Sequence, residues 1–145
     1  MTRTRPESIA EWEELLVRIE LMPRALRHAV EDAGEGDAVR EILRALVARE
    51  REVNGWLLSL TGGEVAADRR FGGDHGSDAR ELRERFAALR ARTFAMVQRR
   101  GLEVWEWEGE YPGEGRLTVY QALTRLLGRD VAALAELRAA GAGAC

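Results

Sequence analysis

Few side chains in this sequence carry reactive chemistry, and two of the best candidates are carboxylates where apolar residues belong. Glu50 falls between Leu46 and Val53 on an otherwise apolar helical stripe, and Asp130 interrupts a similar stripe nearer the C-terminus. A charge on a core-facing stripe is costly unless it is paired. Arg49 and Arg129 stand beside the two carboxylates and are the expected partners across the fold. The arrangement predicts either a salt-bridge layer or a polar pocket in which Arg49 or Arg129 receives a small anionic ligand, since guanidinium pairs bidentately with carboxylate or phosphate. The candidate ligand-binding set is therefore Arg49, Glu50, Arg129 and Asp130. Only two histidines exist: His28, read as a solvated surface residue, and His75, in a glycine-rich stretch beside Asp74. The single cysteine, Cys145, permits no intrachain disulfide. No Ser-His-Asp set, Cys-His pair, phosphate loop or dinucleotide fingerprint is present.

These residues need helices to position them. Ser8-Ile9-Ala10-Glu11 fits a capping box. Ile9, Trp12, Leu16, Ile19, Met22, Leu26 and Val30 then recur at helical spacing to about Asp32. Pro23, inside this run, predicts a kink or short break. Gly34 and Gly36 close the segment, and Asp37 is the expected cap of a second helix carrying Val39, Leu43, Leu46, Val53 and Leu57. Thr61-Gly62-Gly63 ends it, and residues 64 to 76 predict a long connection. A third helix is expected from Ser77 or Asp78, with Leu82, Phe86, Leu89, Thr93, Met96 and Val97 on one face and Gly101 as its stop.

Val104 to Glu108 alternates like a short strand, and Tyr111-Pro112-Gly113 reads as a turn, so an ordered loop or small hairpin should precede the last helix. Trp105, Trp107 and Tyr111 in this segment read first as a lid packed on the end of the fold, and second as a docking surface for a partner. Thr118-Val119-Tyr120-Gln121 is another capping box, followed by Leu123, Leu126, Leu127, Leu134 and Leu137. The prediction is all-α: one four-helix bundle over residues 1–145, a length sufficient for a core without metal or disulfide staples.

Composition excludes several function classes. All 22 basic residues are arginine, the net charge is −3, and the arginines are dispersed, which argues against a nucleic-acid platform. The acidic neighbours of Trp105 and Trp107, among them Glu103, Glu106 and Glu108, argue the same way. No apolar run approaches the roughly 18 residues needed to span a membrane. The opening MTRTRPES runs into an amphipathic helix rather than an apolar secretion core. A cytoplasmic protein is expected.

Two segments resemble a known family. Val39 to Leu60 (VREILRALVAREREVNGWLLSL) and Thr118 to Leu137 (TVYQALTRLLGRDVAALAEL) are similar to the second and fourth helices of DinB-like four-helix bundles. The strongest local likeness is Leu43 to Trp56, and Arg129-Asp130 precedes Ala133 much as an H-D or H-E pair precedes a second histidine in that family. In its metal-binding members, one histidine on the first segment and an H-x-x-x-H pair on the second hold a divalent cation that activates a thiol or water in transferases and isomerases. The matched positions here are Ala45, Arg129 and Ala133. Alanine cannot ligate a metal and a fixed cation repels one. The resemblance therefore implies a bundle that has lost its metal site: no metal or other cofactor, a non-catalytic module binding a small molecule or protein, connected with stress physiology, and pairing through its helices as a homodimer. The alternative is a metal- or thiol-dependent transferase with ligands relocated to His28 or His75.

Overall fold

The computed structural model describes residues 3–61 and 78–142. The protein is an all-α bundle of four helices with one small two-stranded sheet: α1 (Ile9–Ala33), α2 (Asp37–Thr61), α3 (Ala79–Arg99), a 3-10 turn (Leu102–Glu106), β1 (Glu108–Tyr111), β2 (Gly115–Thr118) and α4 (Val119–Ala142). Residues 64 to 76, expected as a long connection, and with them His75, lie outside the described residues, as does Cys145.

Local chemistry sets the helix starts. The Ser8 hydroxyl accepts from the Glu11 N–H at 3.1 Å, and the Asp78 carboxylate accepts from the Glu81 N–H at 2.8 Å. At Thr118 the capping box closes in both directions: the Gln121 N–H donates to Thr118 Oγ1 (3.1 Å) and the Thr118 N–H donates to Gln121 Oε1 (3.0 Å). At Ser8 only half the box forms, because Glu11 turns outward to accept from the Glu7 N–H and the Tyr120 hydroxyl, both at 2.7 Å. The latter bond holds the Glu11 pKa below its ordinary value and pushes that of Tyr120 up. Asp37, expected just outside α2, is its first residue.

Helix directions follow from these ties. α1 and α4 run parallel, with Tyr120 on Glu11 near their starts and Gly141 against Ala33 near their ends. α2 and α3 also run parallel: the Ala79 N–H donates to Glu35 at 2.9 Å ahead of α2, and Asn54 meets Leu89 and Thr93 further along. Each of these pairs packs against the other, α1 on α3 and α2 on α4.

The segment before α4 differs in register from the expected strand. Val104 to Glu106 turns as 3-10 helix, and the antiparallel hairpin begins at Glu108, pairing Glu108 with Thr118 and Tyr111 with Gly115. The cause is Gly101, whose φ of 77° reverses the chain after α3 and drops Val104 into the core. β1 then lies so close to α2 that a Cβ on Gly109 would stand 2.6 Å from Leu60 Cδ2. The aromatic segment is a lid. Trp105 meets Trp12 edge-on at 5.7 Å between ring centroids, and Tyr111 tilts against Trp56 at 5.3 Å. Among the described residues no helix is long and apolar enough to cross a membrane.

Candidate functional site: a buried ionic layer and the groove beside it

The core is not continuous. One apolar compartment gathers Trp12, Ile19, Val53, Trp56, Val97 and Leu123; the other gathers Leu26, Leu43, Leu82, Phe86, Leu89 and Leu137. Between them every helix contributes to one polar layer centred on Arg90, which is 1% exposed. Arg90 Nη1 donates to Asp130 Oδ2 (2.8 Å) and to the Ile19 carbonyl (3.0 Å), while Nη2 donates to Asp130 Oδ1 (2.8 Å) and Glu50 Oε1 (2.9 Å). Four of its five N–H groups are thereby used, and Nε has no partner. The Thr93 hydroxyl donates to the second Glu50 oxygen at 2.8 Å, and Asn54 Nδ2 donates to Thr93 Oγ1 at 2.6 Å. The guanidinium also lies 4.9 Å from the Phe86 ring centroid.

Pro23 explains one of these bonds. A proline has no N–H, so the carbonyl four residues earlier loses its helical donor. That carbonyl belongs to Ile19, and Arg90 supplies the missing hydrogen bond from another helix. α1 accordingly continues from Ile9 to Ala33 as one helix, so of the expected kink or short break at Pro23 the break does not occur.

The layer corrects the expected pairing. Glu50 and Asp130 are brought together, but by Arg90 of α3 and not by Arg49 or Arg129. Arg49 is only half-buried and makes no ion pair among the described residues, and Arg129 turns outward to Glu114 at 2.9 Å. The missed residue had a sequence signal. Phe86, Arg90, Thr93 and Val97 follow one helical face at four-, three- and four-residue spacing. Among the many arginines of α3, nothing in residue type marked Arg90 out.

Electrostatically the layer sets one cation against two carboxylates. Burial works against the Arg90 charge, but the hydrogen bonds and attraction of Asp130 and Glu50 together outweigh it and hold its pKa above the ordinary value. Asp130 is pushed upward, chiefly by desolvation and further by Glu50, against the opposing pull of Arg90. All three ionic side chains are at most 2% exposed, so the layer has no open face for a substrate. It is an architectural device.

The open face lies next to it. Ile42, Ala45, Leu46 and Ala133 floor a groove of about 200 Å³ between α2 and α4, with Arg49 and Arg129 at its edge. Glu136 also lines it. Arg49 and Arg129 further border a cavity of about 10 Å³ with Tyr111, Glu114 and Arg125. That volume holds about one water and no larger ligand. Burial, and next the Glu52 charge, push the Tyr111 hydroxyl up to about 12, so it stays a neutral donor beside the arginines. Among the described residues no group of three or more His, Cys, Asp and Glu side chains is placed to hold a metal ion. His28 is exposed and lines a separate groove with Asp32 and Arg138, between α1 and α4.

Compared with known proteins, the chain matches no family model, no curated protein and no solved structure.

Proposed function

We propose that this protein is a non-catalytic binding module whose ligand is a small organic anion held in the α2–α4 groove by Arg49 and Arg129. The observation that carries the reading is the pairing of two guanidiniums with an apolar, alanine-rich floor on one open face, one of them, Arg49, without an ion-pair partner among the described residues. The same groove supports a DinB-like ancestry with its metal centre lost. The three positions that the resemblance matches to metal ligands, Ala45, Arg129 and Ala133, all line it. Replacing imidazoles with alanine and arginine turns a cation site into an anion site at the same place in the bundle. A transferase with relocated ligands draws no support from His28, which among the described residues has only Asp32 as an acidic neighbour in its groove. A role in stress physiology belongs to the family resemblance alone.

The test is a thermal-shift screen of carboxylates and phosphates, followed by calorimetric titration of any stabilising anion. Arg129→Ala should abolish binding while leaving the melting temperature of the unliganded protein within a few degrees. Equal affinity in the variant would sink the proposal.

A further inference from the structure

One of the groove's arginines, Arg129, already holds a carboxylate, which lines the small adjoining cavity that Arg49 and Arg129 also border. Glu114, in the turn joining β1 to β2, reaches α4 with Oε1 2.9 Å from Arg129 Nη2 and Oε2 3.3 Å from Arg125 Nη1. One flat, two-oxygen group thus bridges two guanidiniums that stand one helical turn apart on α4. The Glu114 side chain is 22% exposed and those of Arg125 and Arg129 are 40% and 42% exposed, so solvent weakens these pairs and leaves them open to exchange.

We infer that Glu114 is a resident competitor occupying the place of the ligand's acidic group, and that the ligand is a short-chain carboxylic acid. The inference rests on the anion-binding reading above. Three features select the class. A carboxylate matches the group to which Arg129 already donates. The groove, at about 200 Å³, falls below the roughly 300–1,000 Å³ of sites for drug-sized ligands and suits a short chain. Its floor of Ile42, Ala45, Leu46 and Ala133 favours an alkyl tail, whereas a phosphate dianion would bring twice the charge against Glu136. Binding exchanges one carboxylate for another on Arg129. The freed Glu114 returns to water on a turn whose strand pairing, Tyr111 with Gly115, does not depend on it.

Glu114→Gln removes the competing charge with little change of shape. Glu136→Gln removes an equal charge from the groove without releasing an arginine, and so separates competition from general electrostatics. The full chain and both variants are titrated calorimetrically with propionate, butyrate and inorganic phosphate. Glu114→Gln should bind butyrate about three- to tenfold tighter than the parent, the range expected from releasing two exposed ion pairs. Glu136→Gln should gain distinctly less, and butyrate should bind tighter than propionate. Butyrate binding seen only in Glu114→Gln would also support the inference. Butyrate binding to the parent with equal or no gain in both variants would overturn the competitor role and leave the anion site standing. Phosphate binding tighter than butyrate would overturn the carboxylate class. No binding of any probe to the parent or to Glu114→Gln would overturn this inference and the anion-binding reading together.

Discussion

Arg90 is the residue on which the interior depends, because among the described residues it is the sole cation of the Glu50–Asp130 layer, and it donates to the Ile19 carbonyl. Replacing a whole buried ion cluster with apolar residues is often neutral, but removing one partner strands the others. Arg90→Met should therefore destabilise the protein by about 3–5 kcal/mol in urea unfolding, since two buried carboxylates lose their counter-ion. A loss below about 1 kcal/mol would mean that the layer relaxes to solvent. Asp130 makes a second prediction. Its pKa is raised on folding, so between the unfolded and folded values the native state binds more protons than the unfolded one. Its contribution is then greatest at low pH and declines as pH rises through the raised pKa. Asp130→Asn, compared with the parent by urea unfolding across the acidic range, should remove that downward slope. An unchanged difference in stability at every pH would show that Asp130 titrates normally.

At the scale of the elements, α1 and α3 are coupled through the gap that Pro23 leaves in the α1 hydrogen-bond ladder. An interior helical proline ordinarily costs about 3 kcal/mol. Here part of that penalty is already offset, because Arg90 satisfies the freed carbonyl. Pro23→Ala should therefore stabilise the protein by clearly less than 3 kcal/mol, as measured by thermal or urea unfolding. The full gain would show that the Arg90 bond contributes nothing to α1. The helices and their starts were legible in the sequence because capping chemistry is local: Ser8, Asp78 and Thr118 each act on a backbone N–H three residues away. The hairpin was legible at its turn but not in its register, since Val104 is placed by the Gly101 reversal and not by strand alternation. Arg90 was hidden for a different reason. The choice among several arginines on α3 is made by the facing carboxylates of α2 and α4, and those contacts are long-range.

For the whole molecule, the layer and the groove divide the labour. The buried charges join all four helices at mid-bundle, and Arg49 and Arg129 line the open groove between α2 and α4. Glu50 and Asp130, two of the residues first assigned to a ligand pocket, belong to the layer, while Arg49 and Arg129 belong to the groove. The DinB-like resemblance also implies pairing of two chains, for which the exposed Val17 and Leu21 of α1 with Val131 of α4 offer apolar surface. Light scattering on the purified chain should give twice the single-chain mass, and a single-chain mass would remove the homodimer. The anion site is tested most directly by following the arginine Nε–H signals of nitrogen-labelled protein by NMR during a butyrate titration. Signals of Arg49 and Arg129 should move along one saturating curve while that of the buried Arg90 stays fixed. No movement at Arg49 and Arg129, or equal drift of every exposed arginine without saturation, would contradict a site in the α2–α4 groove.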